Sequence, residues 1–305
     1  MKRKMIMATI AVALTMTCAQ ATNITGVTGN NGVYNINPEK INGSVGYRQY
    51  QNFAVSQGDV ANLNFKGQVT QGGKLVDKNI GTFINLVQNK VNVNGLLNTV
   101  RDGSFYNGHA VFITPGGFAV GASGVLNVGS LHVATPSAND YDKLIKGYGT
   151  TAGYKAINDL TTLKSNSNAD VTINGKVFAR NGIDLRGETV TVGGNLVNGL
   201  KSTAMISSED QANTLFNSLV NTDGMIKNAS AFDANGSMII LKGQKSGGIK
   251  TSENSTMTNG SEGGIYFVND GSKGMNVNGK MYDKATVSLY NRKGDLIVDK
   301  KAVIL

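Results

Sequence analysis

Two histidines, His109 and His132, supply all the imidazole in this 305-residue chain. Imidazole is the commonest general base and metal ligand near neutral pH. His109 stands in a turn ahead of a strand, and His132 alternates with Leu131 and Val133, which predicts an outward-facing side chain. Neither has a serine or aspartate partner at the spacing of a known nucleophilic system, and no His-Glu-x-x-His run occurs. Asp184, Arg186 and Glu188 alternate along one short segment and could share a face. Carboxylates beside a basic residue are what cleavage of a polysaccharide needs, although a solvated ion-pair ladder explains the same residues more simply. Gly116-Gly117 and Gly193-Gly194 lack the Gly-Lys-Ser/Thr continuation of a phosphate loop and are expected to be chain corners. The sequence therefore predicts no catalytic residue, no metal and no cofactor.

The start of the chain explains the absence of thiol chemistry. Lys2, Arg3 and Lys4 precede an apolar run from Met5 to Met16, and Ala19 and Ala21 form a small-x-small exit. This is the layout of a cleavable export signal over residues 1–21, with peptidase cleavage after Ala21. The apolar run is too short to span a bilayer as a helix. The sole cysteine, Cys18, lies inside this leader, and Thr17 before it does not suit a lipid-anchoring motif. Cleavage would leave 284 residues (305 less 21) with no disulfide and no thiolate metal site. Net charge falls from +9 to about +6 without Lys2, Arg3 and Lys4, and the remaining cations are scattered. That is no nucleic-acid footprint.

The elements that must position these residues are short. Gly (39 residues) and abundant Asn separate runs of three or four apolar residues. Both residue types tolerate positive φ, so they are expected at turns. Ala110–Ile113, Phe118–Val120, Val125–Val128 and Leu131–Val133 follow one another at corner spacing, as do Val171–Ile173, Val177–Ala179, Ile183–Leu185 and Val190–Val192. Openings such as Val91-Asn92-Val93-Asn94-Gly95 and Met275-Asn276-Val277-Asn278-Gly279 recur at unequal intervals. Strands this short cannot bury a face alone but can stack coil on coil, so roughly ten coils are expected. Asn23–Phe65, carrying Tyr47, Tyr50 and Phe53 on one side of a strand, is expected to cap the first coil. Helical structure is expected over Asp140–Ile157, broken by Gly147, Gly149 and Gly153, and a helix after the capping-box residues Ser208 and Gln211, the latter ending at Asp223-Gly224. Gln244–Glu262 is expected to be a polar loop.

Asn52–Phe65, Phe83-Ile84-Asn85, Val93-Asn94-Gly95 and above all Gly116–Leu131 resemble the secretion domain of filamentous haemagglutinin-type exoproteins, in the leukotoxin-like filamentous adhesin branch. The resemblance covers about residues 43–135. It implies an all-β fold, a right-handed parallel β-helix with an N-terminal cap and short extrahelical helices. One domain would run over 22–305, with cap and secretion-like region at 22–135 and further coils at 136–305. The resemblance also implies a non-enzymatic protein that passes the inner membrane by its signal and the outer membrane through a barrel-shaped transporter. The protein would then be secreted or held at the cell surface, where it would meet a host surface or glycan. Thr114-Pro115-Gly116-Gly117 stands where the family carries an Asn-Pro-Asn-Gly turn. Asn94, Gly95, Pro115, Gly116, Gly117 and Asn127 are accordingly the expected turn or transporter-recognition residues, with Gly116 at positive φ in a type II turn. Two alternatives stay open: a β-helical polysaccharide lyase or hydrolase, and a truncated fragment of a large adhesin.

Overall fold

The structure, a computed structural model, describes residues 21–158 and 168–305. Ala21 is exposed; Ala19 and the rest of the expected export signal lie outside the described residues.

The chain winds into a parallel β-helix whose coils each place one short strand on each of three walls. Wall C, wall A and wall B are visited in that order. The first coil runs Val45–Tyr50, Phe53–Val55 and Val60–Asn64; the second, Thr82–Val87, Val91–Val93 and Leu96–Arg101. The third runs His109–Ile113, Phe118–Val120 and Val125–Asn127, and the fourth Ser130–Ala134, Val171–Ile173 and Lys176–Phe178. The fifth is Ile183–Gly187, Val190–Val192 and Asn195–Asn198; the sixth, Ile239–Gly243, Ile249–Thr251 and Thr256–Asn259. The seventh and eighth are Ile265–Asn269, Met275–Val277 and Lys280–Asp283, then Val287–Asn291, Leu296–Val298 and Val303–Ile304. Each wall thus stacks eight coil strands, not the expected ten, for about 34 Å along the axis at the usual strand spacing. The shortfall comes from chain spent on a hairpin, three helices and a long excursion between coils five and six.

Side-chain alternation builds the interior. In wall A the first and third residues of each strand point inward, and Val91, Val93, Phe118, Val120, Val171 and Ile173 are fully buried. Phe112 on wall C meets Phe118 on wall A with ring centroids 5.3 Å apart, as expected of neighbours across one corner, and Phe53 of the first coil lies 5.3 Å from Phe112. Edge-to-face and tilted aromatic contacts of this kind add to the area term.

The cap is shorter than expected. Asn23–Ile24 and Lys40–Asn42 close walls A and C as antiparallel strands, while Val33–Ile36 starts wall B in parallel. Val45–Phe65 is already the first coil. Tyr47 and Tyr50, three residues apart on one strand, face opposite ways: Tyr47 packs outside the coil and Tyr50 inside. Lys66–Gln71 and Lys74–Asn79 form a hairpin that the sequence reading missed, turned by Gly72-Gly73 with both glycines at positive φ. Gln244–Glu262 is no loop; it holds two strands of the sixth coil, whose polar residues Thr256, Thr258 and Asn259 are buried.

Asparagine, too, does something other than expected. Asn31 is the one asparagine at positive φ among the described residues. Many of the others stack as side-chain ladders between equivalent strand positions: Asn62 on Asn35, Asn127 on Asn98, and Asn198 on Asn259 on Asp283. Gly, by contrast, does sit at corners. Gly95, Gly124, Gly175 and Gly194 occupy the corner from wall A to wall B in successive coils, packed so closely that a Cβ on Gly175 would lie 2.1 Å from the Gly124 carbonyl oxygen. Gly95 and Gly175 end two of the recurring openings, and Gly279 ends a third at the same corner of the seventh coil. The intervals are unequal because other coils spell this corner differently, as at Gly121–Gly124, and because chain is inserted between coils.

The helical stretch expected over Asp140–Ile157 forms two helices, α1 (Ala138–Gly147) and α2 (Thr151–Asn158), parted around Gly149 as the glycines there imply, and both pack on the outside of wall C. Tyr154 stacks on Tyr47 at 4.5 Å, and Tyr141, Leu144 and Ile157 cover Ile84, Leu86, Val111 and Ile113. Helix α3 (Glu209–Leu219) covers wall B. Ser208 caps it by accepting from the Gln211 amide, but Gln211 Oε1 accepts from Ser207 instead of closing the box on Ser208. It ends at Leu219, ahead of Asp223-Gly224, because the chain turns extended at Val220.

The N-terminal end of the stack is closed, whereas the eighth-coil strands have a neighbour on one side only. Ile297 there is 55% exposed. Amide exchange is therefore expected to be fastest in 287–304 and slowest in coils three and four, a gradient that mass-resolved hydrogen exchange measures directly. Uniform protection along the stack would contradict it.

Candidate functional site

The only two histidines, far apart in their surroundings by sequence, meet on the outer face of wall C. His109 on the third coil is in register with Ser130 on the fourth, and His132 on the fourth with Asp184 on the fifth. His109 Nδ1 hydrogen-bonds Ser130 Oγ, and His132 Nδ1 lies 3.2 Å from Asp184 Oδ2. The two rings approach edge to face with centroids 6.4 Å apart. Arg186, two residues along the same strand face, grips Asp184 in a fork at 2.7–3.2 Å. A groove of about 430 Å³ opens beside them, rimmed by Asn181, Asn235, Ser237 and Met238.

His132 does point out of the coil, as alternation predicts, yet it is only 6% exposed. Neighbouring coils stand close enough to cover it. A carboxylate can only accept, so His132 donates from Nδ1 to Asp184. Its Nε2 is buried and has no hydrogen-bond partner among the described residues. Burial first, then the neighbouring His132, holds the His109 imidazole down at about 4, so it is neutral at physiological pH. Burial would raise Asp184, but hydrogen bonds from His132 and Arg186 outweigh it and hold the carboxyl at about 2. The groove is thus lined by a neutral imidazole, an imidazole with a vacant nitrogen, and a carboxylate already neutralised by arginine.

Of the expected trio Asp184, Arg186 and Glu188, the first two meet and the third does not. Glu188 lies beyond the strand end, where its carboxylate bonds Ser246 at a corner. Among the described residues the groove therefore has one carboxylate. The partnership of His132 with Asp184 was missed because α1, α2 and the following residues intervene. Once coil boundaries are known, the pairing follows from register.

The six expected turn or recognition residues do not form one patch. Asn94 (exposed) and Gly95 (buried) lie at the corner from wall A to wall B, while Pro115, Gly116 and Gly117 lie at the corner from wall C to wall A. Positive φ falls on Gly117 (+94°), not on Gly116. Gly116 is needed for another reason: a Cβ there would stand 2.4 Å from the Lys90 amide nitrogen. Thr114 ties the corner by donating from Oγ1 to the Asn89 carbonyl at 2.8 Å.

Asn127 is on wall B and only 1% exposed. It belongs to a clamp that no sequence signal announced. An extended segment after the fifth coil crosses wall B, and its alternate carbonyls are caught by three successive coils. Arg180 donates to Ser202 at 2.6 and 2.8 Å, Asn127 to Ala204 at 3.1 Å, and Asn98 to Ile206 at 3.1 Å. The two-residue period of the carbonyls matches an extended strand, and the coil spacing matches the donors.

No protein-family profile matches this chain, and no curated protein matches it.

Proposed function

We propose that this chain is an exported, non-enzymatic β-helical module that an outer-membrane barrel transporter recognises near its N-terminus, and that it then serves adhesion at the cell surface. The observation that carries the reading is the haemagglutinin-like block Gly116–Leu131. It corresponds to most of one coil, next to capped N-terminal coils, with Gly116 and Asn94 exposed at their corners while Gly95 and Gly117 are buried. A cap closing one end supports it further, because a bare first coil would pair with other chains. The basic leader at residues 2–4 and the small-residue exit at Ala19 and Ala21 supply the first membrane step.

Co-expression with a two-partner barrel transporter tests this. Full-length chain is expected in the culture medium or on the cell surface, and removal of residues 43–135 should leave the product in the periplasm. Equal export of that deletion, or periplasmic retention of the full-length chain with every barrel tried, would overturn the reading. The competing reading, a polysaccharide lyase or hydrolase, draws support from the His109–Asp184 groove. Two-carboxylate hydrolysis would need a second carboxylate beside Asp184, and the groove lining contributes none among the described residues. Polysaccharide cleavage that disappears in Asp184→Ala would favour the enzyme.

A further inference from the structure

The groove on wall C holds two imidazoles whose Nδ1 atoms are both engaged by oxygen: His109 by Ser130 Oγ and His132 by Asp184 Oδ2. Neither Nε2 has a hydrogen-bond partner among the described residues, and that of His132 is buried as well. An unpartnered nitrogen lone pair inside a protein is unfavourable unless something fills it. Imidazoles that bind metals show this same division of labour, with the far nitrogen held by a carboxylate or another oxygen and the near one free. We infer that His109 and His132 form a two-imidazole site for a first-row divalent ion that prefers nitrogen, such as Zn²⁺, Ni²⁺ or Cu²⁺.

The placement suits the task. The rings project from adjacent parallel strands, offset by two residues in register, on one face of a rigid wall. Their centroids are 6.4 Å apart. Zn–N bonds near 2.0–2.1 Å would hold the two Nε2 atoms about 3.4 Å apart, so both rings must turn their Nε2 atoms toward one ion. No group of three or more His, Cys, Asp or Glu side chains converges to hold a metal among the described residues. The remaining positions would fall to water or to oxygen atoms of a ligand in the groove, leaving an open coordination shell. Asp184 orients His132 from behind, and Arg186 balances its charge. Nitrogen donors favour these ions over Ca²⁺ or Mg²⁺, which take oxygen.

Because the chain has only two histidines, a tag-free preparation gives a histidine spectrum that reports this site alone. Zn²⁺ titrated into the purified chain should shift the Nε2 resonances of both residues together along one saturable curve, and Mg²⁺ should shift neither. His109→Gln and His132→Gln should each weaken Zn²⁺ binding at least tenfold, and Asp184→Asn by 10–100-fold, the range for losing an outer-shell partner. Glu188→Gln, bonded elsewhere, should bind as the parent does. The wild-type titration stands without any variant, so a variant that fails to fold leaves the test intact. The site is overturned if Zn²⁺ shifts neither ring or only one, or if a folded double variant at His109 and His132 binds like the parent.

Discussion

Arg180→Met is expected to destabilise the protein by about 3–5 kcal/mol, because several buried acceptors lose their donor and each such loss costs about 1–3 kcal/mol. Arg180 is 3% exposed, and burial pulls its guanidinium down to about 9, which still leaves it charged at neutral pH. Carbonyl and amide oxygens stabilise that charge. Nη1 donates to Asn127 Oδ1 at 2.6 Å and to the Val128 and Phe178 carbonyls at 3.3 Å, while Nε and Nη2 hold Ser202. The Phe105 ring lies under the guanidinium at 4.0 Å. Methionine would fill much of the volume but strand those acceptors, and stranded acceptors are the costly outcome. Arg180→Lys should be intermediate, because an ammonium cannot span Asn127 and Ser202 as a fork does. Denaturant midpoints give the magnitude. Hydrogen exchange should show early loss of protection at the end of wall B in the fifth coil, together with α3. A loss below about 1 kcal/mol would mean that apolar packing of Phe178, Val197, Leu200 and Phe232 holds the segment without the clamp.

That clamp also marks where the sequence stops being legible. The walls could be read, because a three-residue strand with apolar first and third positions and a glycine corner has one local meaning. Val91–Val93, Phe118–Val120 and Val171–Ile173 fall in wall A as expected. The end of wall B could not. Asn98, Asn127 and Arg180 carry no periodicity of their own, and their partners at 202–206 follow one to three coils later. Tolerance of positive φ predicts asparagine at turns, but a stacked coil offers an alternative use. A side-chain amide both donates and accepts, so identical amides at one register position can chain along the stack. The helices were legible by apolar spacing and, for α3, by Ser208, and the break between α1 and α2 by Gly147, Gly149 and Gly153, with Gly149 falling in the gap. The histidine groove failed for the reason the clamp did. His132 and Asp184 are register partners only when the coil between them is known to carry an insertion.

Gly116→Val should cost about 3 kcal/mol, at the upper end of what overpacking usually does, through contact and not through backbone strain. The glycine has no positive φ, but its missing Cβ makes room for the second coil: the added carbon would sit 2.4 Å from the Lys90 nitrogen and 2.5 Å from the Asn89 carbonyl carbon. Both are backbone atoms and cannot rotate away. Gly117→Ala combines the two penalties, since φ is +94° and the Asp170 carbonyl oxygen would be 2.8 Å from the new carbon. Gly72→Ala on the exposed hairpin has strain alone, at φ +58° with nothing within 4 Å, and should cost only about 1 kcal/mol. Gly72→Asn should recover most of that, because asparagine tolerates the left-handed region. The three sites separate contact from strain. Asparagine at 116 should fare no better than alanine there, whereas at 72 it should fare better. Coils contact only their neighbours, so exchange in Gly116→Val should rise first in Thr82–Val93 and Phe118–Val133 and last in Val287–Val298. If alanine at 116 proves harmless while alanine at 72 does not, strain rather than close approach governs these corners. If export fails for Gly116→Val while exchange stays native, the corner instead touches the transporter directly.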